Sequence, residues 1–230
     1  MEADDSRVRR ARNGSGWRAP AAAAAVFLAL LLIFACLAVA VSDGGHVGAD
    51  RPVMMWVHGA TSPWLTAAAE TASFFGGWLV LVASFVVALV CCLRRRLGGA
   101  FLVLASVYGA SRGNAALKSA FERTRPDFWE HLSVETTYSF PSGHAMGSMS
   151  IAAPLVVLAW GTRFRWPVLA VAAVYVGAVG ASRVYLGVHF PSDVLAGWCV
   201  AVLWVGVLVV LLLVVGRWAT AHAPRLAAWF

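Results

Sequence analysis

Residues 194–216 read VLAGWCVAVLWVGVLVVLLLVVG, a run without one charged side chain. At about 1.5 Å of rise per residue, a helix of this length crosses a hydrocarbon core of about 30 Å. Five further apolar runs precede it: Ala19–Val41, Thr71–Leu93, Leu97–Leu117, Ala145–Gly161 and Trp166–Ser182. Each falls near the roughly 17–25 residues that span a bilayer as helix. Lipid offers no hydrogen bonds, so each segment must satisfy its own backbone, and helix is the form that does so. The pattern predicts an all-α, polytopic membrane protein with six transmembrane helices, the fourth kinked at Pro154. Ala38-Val39-Ala40 resembles a signal-peptidase site, but the run before it exceeds the roughly 7–15 residues of a signal core, so a retained first helix is expected.

Composition agrees. Sixty per cent of residues are hydrophobic and 13% charged, against about 45–50% and 25% in soluble domains. The net charge of +7 would suit nucleic acid if it were clustered on one face. Instead the basic residues flank the apolar runs, where they set orientation, and no nucleic-acid partner is expected. Cys36, Cys91, Cys92 and Cys199 lie within or beside apolar runs, show no zinc spacing and read as small apolar residues.

Arg7, Arg9, Arg10, Arg12 and Arg18 precede the first run. Arg94–Arg96, Arg163 with Arg165, and Arg217 with Arg225 fall in alternate connections thereafter. With six crossings these four segments share one side, so both termini are expected in the cytoplasm. The expected divisions are a disordered cytoplasmic tail at 1–18, a six-helix domain at 19–216 and a cytoplasmic tail at 217–230. Segments 42–70, 118–144 and 183–193 then share the opposite face.

That face carries three polar clusters. Residues 118–126 read KSAFERTRP, residues 139–144 read SFPSGH, and residues 182–193 read SRVYLGVHFPSD. Pro191 suits the first turn of the last helix. His189 and Asp193 are four apart, which on a helix puts them on one face about 5–6 Å apart at Cβ. A carboxylate there takes the Nδ1 proton and leaves Nε2 as nucleophile or base. Lys118, Arg125 and Arg183 supply cations, the arginines as planar forks suited to paired phosphate oxygens. Ser142 and Gly143 precede an apolar run, where a helix N-terminus aims backbone N–H groups at an anion. Ser142 also suits a plain N-cap. Arg112 and Asn114 lie near the outer end of the third run, and Arg123 lies between Lys118 and Arg125. Arg112 is expected to snorkel outward, and Arg123 to stand behind the site or on the substrate surface. The stretch around Met54-Met55-Trp56 and Trp64-Leu65, with Pro52 and Pro63, predicts a short interfacial helix pair.

Together the clusters resemble the signatures of the type 2 phosphatidic acid phosphatase family: Lys-x6-Arg-Pro at Lys118 to Pro126, Pro-Ser-Gly-His at Pro141 to His144, and Ser-Arg-x5-His-x3-Asp at Ser182 to Asp193. The resemblance covers about residues 50–216 with no departure inside the signatures. It implies an enzyme in which His189 attacks phosphorus, Asp193 orients it, and His144 protonates the leaving oxygen and then activates water. It implies phosphate binding by Lys118, Arg125, Ser142, Gly143 and Arg183, and neither metal nor cofactor. The substrate class is a lipid phosphate or pyrophosphate: undecaprenyl pyrophosphate, phosphatidylglycerol phosphate or phosphatidic acid. Membrane lipids are the other expected partners, and the sequence sets no oligomeric state. The expected location is the inner (plasma) membrane, with the site facing the periplasm or exterior. A lipid A phosphatase or phosphotransferase is the alternative enzyme. A lipid-binding or transport protein on the same scaffold is the alternative from another class, and the presence of both His189 and Asp193 counts against it. The related vanadium haloperoxidases are soluble, which the six apolar runs exclude.

Overall fold

The computed structural model describes residues 18–44, 47–129 and 135–222. Among them are eight α-helices and no strand: α1 Arg18–Val41, α2 Asp50–Gly59, α3 Pro63–Gly76, α4 Leu79–Leu93, α5 Leu97–Phe121, α6 Gly143–Ala159, α7 Arg165–Tyr185 and α8 Pro191–His222. The expected tail at 1–18 lies outside the described residues except for Arg18, which opens α1. The last helix continues past Gly216 to His222, so the C-terminal tail begins as helix. Residues 223–230 are outside the description.

Length and composition mark Pro20–Val41, Arg165–Tyr185 and Pro191–Ala221 as able to cross a membrane. The second predicted run is not one helix. It breaks after Gly76 into α3 and α4, bent by 48°, and the two pass the length and composition test only when taken together. A glycine pair explains the break. A Cβ at Gly76 would lie 2.4 Å from Val179 Cγ1, so the residue must be bare, and Gly77 leaves the helical region at φ −87°, ψ −135°. Helix α6 is apolar but only 17 residues long, and it runs unbroken through Pro154. Helix α5 has 25 residues, but glycines, serines, Arg112, Asn114 and Lys118 lower its hydropathy. Of the expected interfacial pair, α2 is a separate short helix with Trp56 79% exposed, whereas Trp64 lies in the first turn of α3, which leads into the bent pair.

Helix α6 is the centre of the bundle and packs against α5, α7 and α8, while α1 lies on α8, α3 on α7 and α4 on α5. The polarity is that of a membrane protein. Phe85, Val171 and Val174 point outward, 65–72% exposed, whereas Ser84, Ser148, Ser150 and Ser182 are buried between helices. Their hydroxyls donate to carbonyls three residues back, at 2.7–3.0 Å, so none of these four is stranded. One close approach sets the site. A Cβ on Gly197 would come within 2.8 Å of the Ser142 carbonyl, so only glycine lets α8 lie against the start of α6.

Candidate active site

The three clusters converge at one end of the bundle. Lys118 lies in the last turn of α5 and Arg183 in the last turn of α7, one turn inside the helices rather than in the predicted loops. Ser142 is the N-cap of α6, and Gly143 and His144 form its first turn. Asp193 is in the first turn of α8. The Ser142 N–H donates to the Asp193 carbonyl at 3.0 Å, tying the starts of α6 and α8 together through backbone.

His189 and Asp193 meet, but not on a helical face. His189 sits in the 186–190 loop, which turns at Gly187 with φ +76°, and its N–H donates to the Arg183 carbonyl at 3.3 Å. Asp193 Oδ2 accepts the Phe190 N–H at 3.0 Å and faces His189 Nδ1 at 3.4 Å. Arg125 Nη1 lies 3.2 Å from His189 Nε2. A guanidinium only donates, so Nε2 accepts, Nδ1 carries the proton, and the proton faces Asp193. This is the tautomer a nucleophilic imidazole needs. Burial pushes the His189 pKa well below its ordinary value, and Arg125, Arg183 and Lys118 push the same way, so the ring is neutral.

Arg125 touches that nitrogen, and Arg183 and Lys118 are near enough to act on the ring's charge. Arg125 is fixed by the carbonyls of Thr137 at 2.8 Å and Val188 at 2.7 Å, and Lys118 Nζ donates to Thr137 Oγ1 at 2.8 Å. Arg183 is almost wholly buried and donates to Ser73 of α3 and to Glu135. Glu135 also pairs with Arg125 at 3.5 Å, so a carboxylate lies between the two arginine forks. Burial would raise its pKa, but Arg183 and Arg125 outweigh burial and hold it below the ordinary carboxylate value. The Ser142 hydroxyl is buried, caps no backbone N–H and has no partner among the described residues. The simple N-cap reading therefore fails, and the hydroxyl is free for a ligand. Asn114 donates to the Pro141 carbonyl at 3.0 Å and holds the turn.

His144 is half-buried and lines a cavity of about 260 Å³ with Gly76, Gly77, Trp78, Ser111 and Asn114. Arg112 is exposed on α5 and joins none of this. Among the described residues, no three His, Cys, Asp or Glu side chains are grouped to hold a metal. His46 and His131 lie outside the described residues. Sequence reading missed Glu135, Ser73 and Asp50. Each comes from a segment without a motif, and only tertiary packing brings it to the site.

Residues 97–217 match the model of the PAP2 superfamily. Over 185 residues the chain is 32% identical to phosphatidylglycerophosphatase B of Bacillus subtilis (strain 168), spanning 76% of this chain and 89% of that relative. It is 32% identical over 142 residues to decaprenylphosphoryl-5-phosphoribose phosphatase of Mycobacterium tuberculosis (strain ATCC 25618 / H37Rv), spanning 59% of this chain and 73% of that one. The structure resembles the crystal structure of a transmembrane PAP2 type phosphatidylglycerolphosphate phosphatase from Bacillus subtilis, with a TM-score of 0.72 and 29% identity over 80% of this chain and 94% of that chain.

Proposed function

Because the chain belongs to the PAP2 superfamily and is a membrane phosphatase of lipid phosphates, we propose that it works through a phosphohistidine on His189, with the phosphate held by Lys118, Arg125, Arg183, Ser142 and Gly143. The supporting observation is the orientation of His189: Nδ1–H toward Asp193, the Nε2 lone pair toward Arg125. The phosphate displaces Glu135 from the two arginines and accepts from the Ser142 hydroxyl and the N–H groups at the start of α6. Nε2 attacks phosphorus in line, the ester or anhydride oxygen leaves, and His144 gives it a proton. Water then attacks the phosphohistidine, His144 takes the water proton, and His189 is released with inorganic phosphate. Three fixed cations balance the spreading negative charge, so no metal is required.

Phosphatidylglycerol phosphate is the first substrate to test, on the strength of the Bacillus relatives. Phosphatidic acid, undecaprenyl pyrophosphate and lipid A complete the panel. In detergent, phosphate release from at least one of these is expected to persist in EDTA and to be inhibited by vanadate, which mimics five-coordinate phosphorus. Loss of activity in EDTA with rescue by magnesium would contradict the mechanism. No release from any of them would favour a lipid-binding protein on this scaffold.

We further propose that residues 19–216 cross the inner (plasma) membrane six times, with α3–α4 as one bent crossing, α5 and α6 crossing within the bundle, and both termini cytoplasmic. The site then lies at the outer interface. The basic segments 94–96, 163–165 and 217–225 on alternate connections support this reading. With the native cysteines replaced, a cysteine at the exposed Thr136 should react with a membrane-impermeant maleimide in intact cells. Reaction only after permeabilisation would reverse the orientation.

A further inference from the structure

Arg123 lies behind the His189–Asp193 pair, away from the phosphate cations, and is 6% exposed. Its Nη1 donates to Asp193 Oδ1 at 2.5 Å and to Ser192 Oγ at 2.8 Å. Its Nη2 donates to Asp50 Oδ2 at 2.9 Å. The guanidinium carbon lies 4.1 Å from the centre of the Phe190 ring, which supports its plane. Asp50 is also buried. It comes from the start of α2, outside the residues that match the family model. Besides Arg123, it accepts the Ser192 N–H at 3.0 Å and the Ser192 hydroxyl at 2.6 Å.

Two functions follow from this geometry. First, Asp50 caps α8 from a distance. Pro191 opens that helix without an N–H, and the next free donor, that of Ser192, goes to Asp50. Asp193 is one residue further on, so the cap fixes the turn that carries it. Second, Arg123 occupies the Asp193 oxygen that His189 does not face. With Oδ1 bound to Arg123 and Oδ2 to the Phe190 N–H, the carboxylate is fixed at both oxygens, and Oδ2 is the one that faces the imidazole. Two carboxylates share one guanidinium, which leaves an excess negative charge behind a ring that becomes cationic as Nε2 bonds to phosphorus.

We propose that Asp50 and Arg123 are positioning residues for the reaction, acting through Asp193 to hold the His189 ring in its attacking orientation. The proposal rests on the assignment of His189 and Asp193 as the nucleophilic pair. A structural staple between α2 and α8 would use the same contacts, so the test separates the two by kinetics.

The measurements are the single-turnover rate of phosphoenzyme formation, KM and the vanadate inhibition constant, on full-length protein in detergent. Arg123→Met is expected to slow phosphorylation about 100-fold, and Arg123→Lys and the isosteric Asp50→Asn about 10-fold, with KM and vanadate affinity within about twofold of the parent. The deciding arm is a double-mutant cycle. Asp193→Asn alone is slow, and adding Arg123→Met or Asp50→Asn to it should cost less than about threefold more, because all act through one carboxylate. Additive losses, or weakened vanadate binding in step with falling thermal stability, would reduce the contacts to a staple and overturn the proposal. If Arg123→Met does not fold, Asp50→Asn and Arg123→Lys carry the same cycle. His189→Ala controls for the underlying assignment. Parent-like turnover in that variant sinks the site itself, whereas an inactive His189→Ala beside additive cycles sinks only the positioning role.

Discussion

His189→Ala should form no acid-labile phosphoenzyme with any substrate and lose at least about 10⁴ in kcat, the scale on which nucleophile removal acts. His144→Ala should behave differently. The imidazole it lacks is needed to protonate a poor leaving group, but p-nitrophenolate leaves without help. With p-nitrophenyl phosphate, His144→Ala should therefore be phosphorylated on His189 and then turn over slowly, because water lacks its base. The same variant isolates the titration of His189. Protonation blocks attack, and burial and the three cations lower the His189 pKa. Phosphoenzyme formation should thus persist below the ordinary imidazole value of about 6.5 and fail only at more acid pH. Rapid quench with labelled substrate and peptide mapping make the measurement. Phosphate on His144 in the parent, or normal labelling of His189→Ala, would overturn the assignment.

The second large effect falls on Arg183. Its guanidinium is buried against Ser73 and Glu135. On the proposed role of Arg183, Arg183→Ala removes one of the three cations and leaves the Glu135 carboxylate, paired only with Arg125, to repel the phosphate. A loss of about 10³ in kcat/KM is expected, with weaker vanadate binding. Arg183→Lys keeps the charge but loses the fork that reaches two partners, so it should recover only part of the activity. Stability should fall as well, since breaking a buried pair costs about 3–5 kcal/mol. Arg183→Ala/Glu135→Ala should regain stability without regaining activity. If Arg183→Ala binds vanadate as the parent does, Arg183 is not a phosphate ligand.

The catalytic candidates were legible because each is a polar residue in an otherwise apolar chain, and such residues need a reason. Spacing then placed them, although only roughly. Lys118 and Arg183 lie a turn inside their helices, since a helix continues while its carbonyls have partners, whatever the side chain. The four-residue spacing of His189 and Asp193 suggested a helical face. The contact arises instead from a loop that turns at Gly187 and a carboxylate that also binds the Phe190 N–H. Asp50 and Glu135 were not legible at all. A lone acid in a polar loop reads as solvated, and only packing across the bundle shows that one meets Arg123 and the other two arginine forks. The break at Gly76-Gly77 escaped notice for a related reason. Hydropathy registers that a run is apolar, not that a neighbouring Val179 side chain forbids a Cβ within it.

The close fit of Gly197 against the Ser142 carbonyl, joined to the backbone bond between Ser142 and Asp193, has a mechanical consequence. The start of α6, which carries His144, and the start of α8, which carries Asp193, cannot slide or part without losing both contacts. The α3–α4 corner at Gly77 stands beside the His144 imidazole and is held by turn bonds, the Gly77 N–H to the Phe74 carbonyl at 3.3 Å and the Val80 N–H to the Gly77 carbonyl at 3.1 Å. The candidate acid and the carboxylate beside His189 are thus joined through main chain, whatever their side chains do.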